Sequence, residues 1–101
     1  AVGLAVARKE ADAGIVIDGA GIGSAIAANK IRGIRAAMCL DETTARYSRE
    51  HNGANVLALG ASLLPGTEAA IRIVDRWLGT AMTEARYIRR LIKIRRLEGR
   101  P

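Results

Sequence analysis

Apolar and polar positions along the chain fall into alternating blocks of two periods. Residues 1–12 (AVGLAVARKEAD) read as the end of an amphipathic helix, stopped at Ala13-Gly14. GIVID, residues 14–18, is a short β-branched run and predicts a strand. A glycine cluster follows (Gly19, Gly21, Gly23), and SAIAANK, residues 24–30, predicts a helix broken before Gly33. IRAAMC, residues 34–39, predicts the second strand. Asp41 is the expected N-cap of a helix over DETTARYSREHN, residues 41–52, which Gly53 ends. NVLALG, residues 55–60, predicts the third strand. Pro65-Gly66 marks a turn, TEAAIRIVDRWLG (67–79) a helix ending at Gly79, and Thr80 is the expected cap of a last helix over about 83–97.

Strands that are apolar on both faces and alternate with helices predict an α/β fold. The expectation is a parallel, Rossmann-like sheet with helices on both faces, in three layers. There is no repeat or linker, so residues 1–101 read as one domain. Three strands make a small sheet for that architecture, and the chain enters in mid-helix at Ala1. An N-terminal strand–helix portion is therefore expected to be missing, or supplied by another chain.

Composition narrows the chemistry. Half of the residues are hydrophobic but only 3% are aromatic, so the core must be aliphatic. One cysteine, Cys39, excludes an internal disulfide, and one histidine, His51, excludes a multi-histidine zinc site. No apolar run approaches the roughly 18 residues of a membrane span and no signal peptide is visible, so the expected location is the cytoplasm.

The net charge of +6 is concentrated at one end. Residues 1–85 carry nine basic and nine acidic side chains. Residues 86–101 carry Arg86, Arg89, Arg90, Lys93, Arg95, Arg96 and Arg100 against Glu98 alone. Such a segment attracts phosphate groups, and a solvated helix face is the plainer alternative. Nucleic acid is the disfavoured source, because aromatics for base stacking are nearly absent. Ile88, Leu91 and Ile92 also give the last helix an apolar stripe that must pack on something.

The glycine cluster carries the clearest chemical signal. A strand, a glycine-rich turn and a helix N-terminus together aim backbone N–H groups into one concavity, at the strand end where open α/β sheets hold ligands. The spacing matches neither the dinucleotide fingerprint nor the Walker loop. Asp18, at the strand's end, is either a base beside an oxyanion cradle or an acceptor that shapes the turn.

Three strings, IDGAGIGSAIAANKIRGIRAA, SREHNGANVLALGA and ARYIRR, resemble the family of ribose-5-phosphate isomerase type B and the galactose-6-phosphate isomerase subunits. The resemblance runs from about residue 10 to 95. It implies an aldose–ketose isomerase of a phosphorylated sugar that works through a cis-enediolate, without metal or organic cofactor. It implies His51 as the ring opener, Asn52 as a substrate ligand, and the N–H groups of Gly19, Gly21 and Gly23 as holders of the enediolate oxygens. Ser24 falls with the same substrate-binding loop, at a position where some members carry a carboxylate. Arg86 and Arg90 fall on arginines that hold phosphate across a dimer interface. Asp18 stands where most type B enzymes have the proton-moving cysteine, as in one galactose-6-phosphate isomerase subunit type. Ala20, Ser62 and Tyr87 depart from the family's hydroxyl residue, arginine and histidine. The family's N-terminal strand has no counterpart. The implied assembly is a homodimer or higher oligomer, or a heteromer with a complete subunit, with the C-terminal helix reaching to the partner. The alternative reading is a catalytically degenerate subunit that binds sugar phosphate or serves assembly.

Overall fold

The computed structural model describes residues 2–99, so Ala1 and the basic Arg100 lie outside the described residues. The elements run α1 (Val2–Ala7), β1 (Gly14–Asp18), α2 (Ile22–Asn29), β2 (Ala36–Met38), α3 (Glu42–Glu50), β3 (Val56–Gly60), α4 (Thr67–Leu78) and α5 (Ala85–Glu98). The three strands form one parallel sheet in the order β1-β3-β2. β3 is central, and each of its five residues is buried.

Strand alternation divides the interior into two cores. Leu57 and Leu59 point to one face, where they meet Cys39, Ala45, Ile73 and Trp77 beneath α3 and α4. Val56 points to the other, against Val6, Ala28 and Ile34 beneath α1 and α2. Helices on both sides of a parallel sheet give the expected three layers. Trp77 is fully buried and fills the larger core, as its apolar helix face suggests, whereas Tyr47 remains 40% exposed. Cys39 is buried, with its thiol pushed up by burial, and behaves as a small hydrophobe.

Several boundaries differ from the sequence expectation. α1 stops at Ala7 rather than residue 12, because Lys9 turns into the left-handed region (φ 61°). α2 begins at Ile22, two residues before Ser24, so the glycine segment supplies the helix's first turn. β2 is only three residues long, although the Cys39 N–H still reaches the Ala58 carbonyl at 3.2 Å. Asp41 caps α3 as expected: its carboxylate accepts the Thr44 N–H at 2.7 Å and completes a capping box. Thr80 does not cap α5. Its hydroxyl donates to the Arg76 carbonyl at 2.7 Å, closing α4, and Glu84 precedes α5 instead.

α5 runs along the loops at the amino edge of the sheet. Tyr87 is its buried residue, Leu91 lies near Gly53, and the Glu98 carboxylate accepts the Gly33 N–H. Arg49 ties this edge together from α3. Its guanidinium donates to the Ala54 carbonyl at 2.8 Å and the Thr80 carbonyl at 3.2 Å, and lies 4.4 Å from the centre of the Trp77 ring.

Candidate functional site: a glycine cradle and a histidine–arginine cluster

The chemistry-bearing residues gather at two places. The first is the carboxyl edge of the sheet. Asp18 ends β1, paired in register with Gly60, and the chain turns through Gly19–Gly21 into α2. Two tight approaches fix this turn. Gly21 sits at φ 80°, and a Cβ there would lie 3.0 Å from the Gly60 nitrogen. Gly60 itself abuts the Ala20 carbonyl, 2.5 Å from where its Cβ would be. In sequence Gly60 reads only as the end of a strand; its need for glycine comes from a chain segment forty residues away.

Gly19 and Gly23 are different. Both are exposed, and a Cβ on either would meet nothing nearer than 3.7 Å and 3.8 Å respectively. The fold alone does not demand glycine at these two positions.

The half-buried Asp18 carboxylate accepts from the Gly21 N–H, from the Ser24 N–H at 3.1 Å and from the Ser24 hydroxyl at 2.6 Å. It thus performs the capping that Gly21, with no side chain, leaves undone. The Ser24 hydroxyl has the largest influence on the Asp18 carboxyl; burial opposes it, the Gly21 and Ser24 N–H groups add to it, and the net result lies below the usual carboxylate range. These three bonds are those of an acceptor that shapes the turn. The same carboxyl is ionised near neutral pH, the form in which it can accept a proton.

The second cluster surrounds Tyr87. The His51 imidazole stacks on the Tyr87 ring at 4.5 Å and 30°, and on the Tyr47 ring at 4.5 Å and 16°. The Arg86 and Arg90 guanidinium carbons lie 4.7 Å and 5.5 Å from the Tyr87 centroid. Arg86 also donates to the Tyr87 oxygen at 2.7 Å and to Glu84 at 2.8 Å, and its bond and charge pairing with Glu84 raise its already high pKa. Asn52 follows His51, with its amide donating to the Tyr47 carbonyl at 3.1 Å. The structure thus brings His51 of α3 together with Arg86 and Arg90 of α5, which lie far from it in sequence, with Asn52 beside them. Tyr47 is the member of this cluster that sequence reading missed, although it precedes His51 by four residues on α3, a spacing that puts both rings on one helix face.

The two clusters lie at opposite edges of the sheet. α3 follows its cap Asp41, just beyond the carboxyl end of β2, and runs back about 13 Å over its nine residues to His51. The chain then enters β3 at Val56, which pairs with Gly14 and Ala36 at the amino ends of the other strands. Asp18 is level with the far end of β3, about 13 Å further along. A groove of about 640 Å³ also opens at the amino edge, beside Lys9, Arg32, Arg35 and Arg95, but it contains no residue of either cluster. Among the described residues no three of His, Cys, Asp and Glu come together as a metal site.

A parallel α/β sheet with backbone N–H groups at its carboxyl edge and a separate cluster of arginines and histidine offers groups whose chemistry suits an anion. The chain belongs to the family described as Ribose/Galactose Isomerase, whose sequence profile matches residues 1–94. It is 48% identical over 99 residues to ribose-5-phosphate isomerase B of Escherichia coli (strain K12), covering 98% of this chain and 66% of that protein. Its structure is similar to that of Clostridium thermocellum ribose-5-phosphate isomerase B, with a TM-score of 0.94 and 49% identity over 97% of this chain and 66% of the other. The Mycoplasma genitalium ribose-5-phosphate isomerase B, solved with bound ribulose-5-phosphate, gives 0.92 and 37% over 99% of this chain and 66% of the other. The chain therefore spans slightly less than two thirds of the length of each of these relatives. No helix among the described residues is long and apolar enough to cross a membrane.

Proposed function

We propose that the chain is part of an aldose–ketose isomerase of a phosphorylated sugar, of the ribose 5-phosphate to ribulose 5-phosphate type, with each site shared between two subunits. The observation that carries this is the division of the site between the two edges of the sheet. One chain's cradle and its own His51 cannot meet across about 13 Å of strand. A partner subunit presenting its amino edge to the cradle would unite them. Each interface of this kind would bring Arg86 and Arg90 to the phosphate and bring α5 against the neighbour. The exposed Ile88 and Ile92 of α5, each 45% exposed, supply an apolar face for such a contact. A homodimer meets the requirement, as does a heteromer with a longer family subunit.

In this reading His51 opens the sugar ring, taking the proton of the C1 hydroxyl and returning one to the ring oxygen. The ionised Asp18 then takes the proton from C2, and the electron pair left behind forms the enediolate. The same proton returns at C1 while the O2 hydroxyl proton passes to O1, which leaves the C2 carbonyl and C1 hydroxyl of the ketose. N–H groups of the Gly19–Gly23 segment, with that of Gly21 shared with the Asp18 carboxylate, stabilise the negative oxygens, and Asn52 binds the substrate beside His51. The Ser24 hydroxyl holds the carboxylate toward the loop. Arg86 and Arg90, one helical turn apart on α5, hold the phosphate dianion. The test is an isomerase assay of the purified chain with ribose 5-phosphate and galactose 6-phosphate. Turnover that Asp18→Asn and His51→Ala each abolish is the expected result. Absence of turnover, with thermal stabilisation by sugar phosphate, would favour the catalytically degenerate subunit instead.

A further inference from the structure

The buried Tyr87 stands where three functional side chains converge. One face of its ring covers the His51 imidazole, the Arg86 and Arg90 guanidiniums approach the ring within 5.5 Å, and its phenol oxygen accepts from Arg86 at 2.7 Å. Tyr47 covers the second face of the imidazole. With both faces packed, the imidazole can rotate only by disturbing two aromatic rings, and its exchangeable protons must move in the ring plane. The Glu50 Oε1 lies 3.5 Å from the His51 Nε2. Arg86 is held in the same way at two points, by Tyr87 and by Glu84. Left free, a long exposed arginine samples many rotamers, and fixing it on binding costs affinity.

We infer that Tyr87 is a positioning residue that joins the ring-opening histidine and the phosphate-binding arginines into one rigid unit, with Tyr47 as the second jaw on His51. This rests on the isomerase reading for the roles of His51 and Arg86, but the joining itself can be measured without turnover. His51 is the single histidine of the chain, so its imidazole gives one pair of carbon-bound proton signals. In the wild-type chain these signals are expected upfield, displaced by the ring currents of two tyrosines, and to move on titration with inorganic phosphate. Tyr87→Phe keeps the ring and removes the oxygen. It should retain the upfield position and weaken the phosphate response about three- to tenfold, with a matching rise in KM and little change in kcat. Tyr87→Leu keeps an apolar side chain in the buried position but has no ring. It should shift the imidazole signals downfield and lower kcat. A phosphate response unchanged in Tyr87→Phe, or absent from the wild-type chain, would overturn the inference, as would imidazole signals unmoved in Tyr87→Leu. A wild-type chain that binds phosphate in this way but turns over no sugar phosphate would sink the isomerase reading and leave the joining by Tyr87 standing.

Discussion

Four glycines around the cradle look alike in sequence, yet the structure separates them into two kinds with opposite expected behaviour. At Gly21 an alanine would have to hold φ near 80°, which costs a residue with a Cβ about 1–2 kcal/mol. Its methyl would also press on the Gly60 nitrogen at 3.0 Å and the Leu59 carbonyl carbon at 3.1 Å, both backbone atoms of the central strand. The sum is on the order of 2–4 kcal/mol, against about 5–15 kcal/mol for a whole domain of this size. Gly23 lies inside α2 with ordinary dihedrals and an open Cβ position. Gly23→Ala should therefore stabilise the folded chain by about 0.5–1 kcal/mol, raising Tm by a few degrees. It should nonetheless weaken or abolish sugar-phosphate binding, because a methyl would stand between the ligand and the N–H groups. The assay pairs thermal unfolding with calorimetric titration of ribose 5-phosphate on the same samples. A Gly23→Ala chain that binds as well as wild type would refute the cradle as the ligand site. A Gly21→Ala chain of unchanged Tm would refute the account of the turn.

Other consequences concern the surroundings of the two clusters. Ser24→Ala removes the largest influence lowering the Asp18 carboxyl, so that carboxyl should titrate closer to its ordinary value near 3.9. In the wild-type chain this lowered group stabilises the fold above its unfolded pKa, and the stabilisation is lost as pH falls through the folded value. The loss of Tm between neutral pH and pH 3 should therefore be smaller in Ser24→Ala, and an equal loss would contradict the bonding described. Arg49→Ala leaves the Ala54 and Thr80 carbonyls without their charged donor and uncovers the Trp77 ring. It should destabilise the chain by about 2–3 kcal/mol in denaturant titration, and a change within about 0.5 kcal/mol would show that this tie is dispensable.

Most of the architecture was legible in the sequence because the two periods change cleanly at glycine, proline and Asp41. Where the reading slipped, a side chain acted at a distance. Glycine reads as a helix breaker, so α2 was expected at Ser24; the Asp18 carboxylate caps the turn and lets the helix begin at Ile22. Thr80 reads as an N-cap, but its hydroxyl is bonded backwards to Arg76. The residues of the cradle were all visible as one segment, since strand, loop and helix are contiguous. The second cluster was not visible as a cluster. Its members lie on α3 and α5, and only the stack of Tyr47, His51 and Tyr87 shows that they meet. The separation of the clusters follows from chain direction alone. A helix leaving β2 and returning to β3 must end at the amino edge, which puts His51 away from Asp18.

The central claim is that a site combines Asp18 of one subunit with His51 of another, and subunit mixing tests it most directly. Asp18→Asn and His51→Ala chains, each inactive alone, are unfolded together, refolded as a mixture and assayed with ribose 5-phosphate. If subunits pair at random in two-fold dimers, half of the dimers are mixed, and each of these regains one intact site of two. The mixture should recover roughly a quarter of wild-type activity. A mixture as inactive as its parents, from a wild-type chain that is active, would show that the site does not combine these residues across subunits.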